Sequence, residues 1–222
     1  MRTAGPAGAM TEQKHTVIVR KLGQVDYKAT LERMRSFTET RTQNTPDELW
    51  ILEHPPVFTL GTNADTHHLL APGNIPVVPV DRGGQVTYHG PGQLVVYTLV
   101  DISRARIGVR DFVCRLETAI INTLAAHGIE AEGRRDAPGV YTRGEKIASI
   151  GLRIRRGRAY HGLALNVCND LEPFSRINPC GFEGLAVTSI AQRGGPSKLE
   201  AVQQEVLQQL LIELNAVPRN TA

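Results

Sequence analysis

The sequence predicts a mixed α/β (α+β) fold with sheets flanked by helices, and two observations carry that prediction. Three segments repeat apolar residues at helical spacing, and the chain between them is cut by glycine and proline into short apolar runs of strand length. At 222 residues the chain can bury one substantial core, and no linker, internal repeat or low-complexity stretch divides it. The expected layout is a flexible leader over 1–13, a single domain over 14–217 and a short tail over 218–222.

Taken in order, His15–Arg20 (HTVIVR) is rich in β-branched residues and reads as a strand. Asp26–Gln43 reads as a helix, with Tyr27, Leu31, Met34 and either Phe37 or Thr38 on one face and Asp26 as N-cap. Strands follow at Leu49–Glu53 and Val57–Leu60, separated by Pro55-Pro56, then a loop holding Asn63, Asp65 and the pair His67-His68. Ile75–Val80 is a further short strand and Leu94–Val100 a buried one. The longest helix is expected over Val109–His127, with Val109, Phe112, Val113, Leu116, Ile120 and Leu124 in one stripe and Gly128 ending it. Cys114 falls inside that helix and reads as a packing residue. The last helix covers Lys198–Leu214, with Leu199, Val202, Val206, Leu210 and Leu214 on one face.

Two stretches do not look like scaffold. Asp81–Gln93 (DRGGQVTYHGPGQ) holds four glycines and a proline, which cannot pack a core but leave the backbone open to a ligand. It reads as a loop whose side chains, from Arg82 to His89, would orient that ligand. It matches neither a Walker loop nor a dinucleotide fingerprint. The second stretch, Gly139–Gly181, begins with the Gly144-Glu145 turn before Lys146. It crosses two apolar runs joined at Arg156-Gly157 and ends in Asn178-Pro179-Cys180-Gly181. Proline fixes φ and glycine frees it, so Cys180 is expected on a constrained turn. A thiol acts as thiolate, and a nearby ammonium favours that form, so Lys146 is the expected partner.

Composition narrows the function. A net charge of +3 with a pI near 8.9 is too mild to indicate nucleic acid but suits an acidic protein partner, and the arginines between Arg153 and Arg158 form a basic edge. Three cysteines without a disulfide-scaffold pattern point to a reducing, cytoplasmic setting, and no apolar run nears the ~20 residues that span a bilayer. Seven histidines include no HxxxH pattern and the cysteines no CxxC, so no metal site is expected. His89 and His161, each beside glycine, leave a Cys-His hydrolase open. Cys168 reads as structural.

Five ordered blocks then carry a resemblance: EHPPVFTLG at 53–61, DRGGQVTYHGPGQLVVY at 81–97, GVYTRGEKIASIGLRI at 139–154, YHGLALNV at 160–167 and FSRINPCG at 174–181. From Leu22 to Gly194 the chain resembles the octanoyl transferases of lipoate biosynthesis, the lipoyl(octanoyl) transferases. The resemblance implies the fold of biotin and lipoate protein ligases. It implies transfer of an octanoyl or lipoyl group from acyl carrier protein to a lysine of lipoyl domains, those of 2-oxoacid dehydrogenases and the glycine cleavage H protein. By the same resemblance Cys180 is the acyl-thioester nucleophile and Lys146 its dyad partner. The substrate-binding stretches are Arg82, Gly83, Gly84, Gln85, Val86, Thr87, Tyr88 and His89, then Ser149, Ile150 and Gly151, then His161, Gly162 and Leu163. No cofactor, metal, nucleic acid or membrane is implied, and a monomer is expected. An ATP-dependent lipoate or biotin ligase, or a non-enzymatic carrier-binding module, would share parts of this pattern but have no use for the lysine–cysteine pairing.

Overall fold

Apolar runs continuous along the central strands require a sheet covered on both faces, and that is the arrangement found. The computed structural model describes residues 15–135 and 137–219, so the predicted leader lies outside the described residues. The strands are β1 (His15–Gln24), β2 (Asp47–Glu53), β3 (Val57–Leu60), β4 (Val77–Pro79), β5 (Val86–His89), β6 (Gln93–Leu99), β7 (Glu132–Gly133), β8 (Gly139–Thr142), β9 (Glu145–Arg155), β10 (Arg158–Asn166) and β11 (Ala216–Arg219). The helices are α1 (Tyr27–Thr40), α2 (Val109–Ala126) and α3 (Leu199–Glu213). An eight-stranded sheet runs in the order β11-β1-β2-β6-β10-β9-β8-β7, and a second sheet in the order β4-β3-β5. Strand β1 pairs in parallel with β2 and β11, while the series from β2 through β6, β10, β9, β8 and β7 is antiparallel.

The alternation along β6 shows how the two cores form. Leu94 and Val96 face α2 and α3, in a core with Phe112, Leu116, Ile120, Val202, Val206 and Leu210. Val95, Tyr97 and Leu99 face α1, in a core with Tyr27, Leu31, Met34 and Trp50. Asp26 caps α1 by accepting from the Ala29 amide at 2.9 Å, and Thr38 rather than Phe37 is the buried residue of its last turn. Gly128, at φ +71°, follows the α2 C-cap.

Several expectations change. Strand β1 extends to Gln24, because a register shift between Lys21 and Gly23, with Gly23 at φ +65°, lets pairing with β2 continue. Residues 86–89, read as loop, form β5 against β3, because Val-Thr-Tyr alternates and the glycines only flank it. Strands β7, β8 and β11 were not anticipated; β11 takes Pro218 and Arg219 of the expected tail into the sheet. Cys114 is exposed, since Phe112 and Leu116 take the buried face on either side of it. Cys168 lies beyond the end of β10 and is likewise exposed rather than packed.

Polar groups are buried where α1 meets the sheet. His54, fully buried after β2, donates through Nδ1 to the Val25 carbonyl at 2.7 Å, and its Nε2 accepts from the Tyr97 hydroxyl at 2.7 Å. Tyr27 packs between His54 and His89. Burial pushes His54 down to about 4 and His89 down to about 3. Both histidines bind protons more weakly when folded, so stability is full above the unfolded value near 6.5 and falls as the pH drops toward these lower values. The expected loss is about 2 kcal/mol per histidine at pH 5 relative to pH 7.5. Chemical denaturation at the two pH values measures it, and His54→Gln, which has a donor and an acceptor but no charge to gain, should reduce the difference by its own share of about 2 kcal/mol. An unchanged difference in that variant would mean His54 does not titrate with folding.

Candidate active site

The cysteine is set by its backbone. Pro179–Gly181 form a tight, kinked turn in which Cys180 has φ +59° and ψ +14°, a left-handed conformation uncommon outside glycine. The Asn178 amide donates to the His68 carbonyl at 2.8 Å, and a side chain at Gly181 would meet Gln85 and His68 at 3.2 Å. His68 of the expected loop therefore lies against this turn, a placement no spacing rule signals. Cys180 is half-buried.

Lys146, near the start of β9, has its Nζ 2.8 Å from the Cys180 Sγ, although 34 positions separate them. It is 2% exposed, so its ammonium group needs partners from the protein. Besides the sulfur it donates to the Pro138 carbonyl at 3.1 Å and to the Tyr141 hydroxyl at 3.3 Å. Gly139 makes the room: a Cβ there would stand 3.0 Å from Cε and Nζ. The pairing of β8 with β9 shifts register between Val140 and Tyr141, which aims the Tyr141 ring at the lysine. The segment after Cys180 is tied to the same strand. The Lys146 amide donates to the Ala186 carbonyl and the Thr188 amide to the Lys146 carbonyl, both at 2.9 Å. Sequence reasoning passed over Pro138, Gly139 and Tyr141; the block GVYT that contains two of them was the available signal.

The glycine-rich segment closes over this pair. Arg82 is buried, and its two terminal guanidinium nitrogens donate to the Thr59 carbonyl and hydroxyl and to the Gly83 and Gln85 carbonyls. It acts as the post around which the loop is wound. The Gly83 amide donates to the Leu152 carbonyl at 2.9 Å, pinning the loop to β9. Below the loop, Gly151 of β9 and Gly162 of β10 stand opposite one another. A Cβ at Gly162 would lie 2.1 Å from the Val96 carbonyl oxygen, and one at Gly151 would lie 2.9 Å from Arg82. Glycine at 151 lets the loop lie this close to the sheet, and glycine at 162 leaves room for the β6 backbone.

One cavity brings nearly all the anticipated residues together. Arg82, Gly83, Gly84, Gln85, Val86, Thr87 and His89 line it from the loop and β5, Ser149, Ile150 and Gly151 from β9, and His161, Gly162 and Leu163 from β10, with Lys146 and Cys180 beside them. Tyr88 is not among them; it points into a separate cluster with Phe58 and Phe174. Tyr27, Val95, Tyr97 and Ala164 also line the cavity and were not singled out. Val95 and Tyr97 lie on β6, two strands from β9, an offset of about 10 Å. A second groove meets the first at Cys180 and leads out past Leu152, Val113 and the exposed Val109 and Phe182.

Neither histidine left open for a cysteine–histidine pair contacts the sulfur. His89 Nδ1 donates to Gln93 at 2.8 Å, and His161 Nε2 donates to Asp81 at 3.0 Å. Burial opposes the charge on Asp81, yet hydrogen bonds from His161, Tyr160 and Arg35 hold its carboxyl well below the usual range. Burial in turn lowers His161, against the pull of Asp81. Among the described residues, no group of three His, Cys, Asp or Glu side chains is placed to hold a metal ion, and no helix is long and apolar enough to cross a membrane.

The family described as "Lipoyl protein ligase A/B catalytic domain" matches residues 26–211. A protein named octanoyltransferase from Xanthomonas campestris pv. campestris (strain B100) is 57% identical over 204 residues, covering 92% of this chain and 88% of its own. Another so named, from Vibrio campbellii, is 52% identical over 202 residues, covering 91% and 92%. Among solved structures, a putative lipoate protein ligase from T. acidophilum with bound lipoic acid superposes with a TM-score of 0.74 at 14% identity, covering 94% of this chain and 89% of that one. The biotin protein ligase from Aquifex aeolicus in complex with biotin and ATP gives 0.56 at 14% identity, covering 89% and 70%. At such identity these two show the fold alone, and it is the ligase-like fold that the resemblance implied. By the span of the family match and the identity held along nearly all of its length, the chain belongs to the lipoyl protein ligase A/B catalytic-domain family, alongside relatives named octanoyltransferase.

Proposed function

We propose that this chain moves an octanoyl group from the thiol of acyl carrier protein to the lysine amine of a lipoyl domain, by way of a thioester on Cys180. The acceptors would be the lipoyl domains of 2-oxoacid dehydrogenases and the glycine cleavage H protein, and the enzyme would work in the cytoplasm as a monomer. The observation that carries this reading is the 2.8 Å contact between Lys146 Nζ and Cys180 Sγ at the edge of the glycine-lined cavity. In the first half-reaction the Cys180 thiolate bonds to the acyl carbon, the carbon–sulfur bond to the carrier breaks, and the departing thiolate takes a proton from Lys146. In the second, the acceptor amine bonds to the acyl carbon and the bond to Sγ breaks. The amine proton passes to Lys146, and thiolate and ammonium are restored. The thioester already carries the activation, so the sequence of steps calls on no nucleotide.

The acyl chain would lie along the cavity from Cys180 toward Val95 and Tyr97, whose two-strand offset of about 10 Å suits an extended eight-carbon chain. The outer groove past Val109 and Phe182 is left for the carrier arm and the acceptor lysine.

The covalent step is tested by intact mass. Incubation with octanoyl-carrier, without ATP, should add one octanoyl group that hydroxylamine removes. Cys180→Ala should carry none, while Cys114→Ser and Cys168→Ser should be loaded normally. Normal overall transfer by Cys180→Ala would end the nucleophile assignment.

For the lysine, Lys146→Met should slow transfer by ~10²–10⁴-fold or more, the range of general acid–base catalysis. Lys146→Arg should fail as well, because a guanidinium does not release its proton. Rates close to wild type in either variant would leave Lys146 as a structural lysine.

Chain length tests the cavity. Burial contributes ~0.8 kcal/mol per methylene, so octanoyl should be preferred over butanoyl by about a hundredfold. Val95→Phe, filling the β6 end, should cut octanoyl transfer at least tenfold more than butanoyl transfer, judged by kcat/KM for both donors. Equal losses would move the acyl path elsewhere.

A further inference from the structure

The hydrogen bonds around Lys146 are directional in a way the two half-reactions do not use equally. Two of its three partners can only accept. The Pro138 carbonyl has no proton to give, and the Tyr141 hydroxyl hydrogen is committed to the Ala137 carbonyl at 3.0 Å. Tyr141 is fully buried, and burial raises its hydroxyl, so it keeps that hydrogen. Its ring is held in place beneath Arg134, whose guanidinium carbon lies 4.5 Å from the ring centroid. The third partner of Nζ is the Cys180 sulfur.

We infer that Tyr141 is a positioning residue that, together with the Pro138 carbonyl, turns the lone pair of neutral Lys146 toward the acyl–sulfur bond for the second half-reaction. The inference rests on the thioester reading above. An ammonium group has three equivalent protons, so with three acceptors around Nζ every staggered arrangement is the same and places one proton toward the sulfur. A neutral amine has two protons and one lone pair. With acceptors at Pro138 and Tyr141 both protons are placed, and the remaining tetrahedral vertex, which carries the lone pair, points where Cys180 stands. That is where the proton of the attacking amine must be received. Without the Tyr141 oxygen, one N–H has no acceptor of its own, and the lone pair is no longer fixed. Acylation, which uses the ammonium form, depends little on this; aminolysis, which uses the amine, depends on it directly.

The test is Tyr141→Phe, which keeps the ring and its packing and removes only the oxygen. Single-turnover mass measurements give the rate of octanoyl loading onto Cys180 and the rate of its discharge when an apo lipoyl domain is added. The expected result is that the ratio of discharge to loading falls about tenfold or more, that octanoyl-enzyme accumulates in steady state, and that the pH profile of discharge alone is displaced. Replacing Tyr141 by 3-fluorotyrosine keeps shape and hydroxyl while weakening the oxygen as an acceptor. It should move the same ratio in the same direction by less, and it serves where the phenylalanine variant folds poorly. Equal slowing of both steps, or an unchanged ratio, would overturn the role of Tyr141 while leaving the thioester intact. Absence of any adduct on the wild-type protein would overturn the thioester reading itself.

Discussion

A buried ammonium group is tolerated only where the protein supplies its partners, and the accommodation of Lys146 is the constraint on which the site depends. Three separate parts of the chain meet that need. Strand β8 and the residue before it provide the Pro138 carbonyl, the Tyr141 hydroxyl and, at Gly139, an absent side chain. The turn after β10 provides a sulfur. The segment that follows the turn pairs with the Lys146 backbone in both directions, so the sulfur is held to the strand that carries its partner. Loss of all three would leave a charge without compensation in a place water hardly reaches. The left-handed angle at Cys180 fits this account: the turn is held in a sparsely populated conformation by contacts on both sides, with His68 and Gln85 against Gly181.

A second layer of buried polar groups ties the cavity to that centre. Gln93 accepts from His89 of β5 and donates to the Tyr88 carbonyl and to Asn166 of β10; Asn166 donates to the Thr188 carbonyl, and the Thr188 amide donates to Lys146. This chain of amides crosses from the small sheet through the large one to the segment behind Cys180. Fully satisfied networks of this kind fix one arrangement, because any alternative leaves a buried donor or acceptor unpaired. The pocket and the lysine–cysteine pair are thus held in one frame.

The fold itself does not dictate the chemistry. Proteins at 14% identity, among them one described as a putative lipoate protein ligase and a biotin protein ligase, share the architecture. A charged residue in a glycine-rich loop reads as a ligand contact; here both terminal guanidinium nitrogens bond to the loop and to Thr59, so Arg82 lines the cavity and also holds its wall in shape.

The α1 and α3 faces, the Phe112–Leu124 part of the α2 face (Val109, expected on it, is exposed), the strands at the ends of Pro55-Pro56 and the Arg156-Gly157 hairpin were legible in the sequence, because periodicity, caps and turn residues are local signals. Lys146 and Cys180 were legible as a pair through chemistry and resemblance. Tyr141, Pro138, His68 and the β6 side of the cavity were not, since their roles come from residues brought together across the sheet rather than from neighbours in the chain. The exposure of Cys114 and the alternation that sends Tyr88 away from the cavity while His89 faces it were settled by which face each element buries. Sequence by itself determined the three helices, the longer strands and which thiol and amine to pair, because these depend on local backbone preference and side-chain chemistry. Only the tertiary structure decided the geometry of the site, because a directed hydrogen bond such as Lys146 to Tyr141 exists only once β8 and β9 pair with a shifted register.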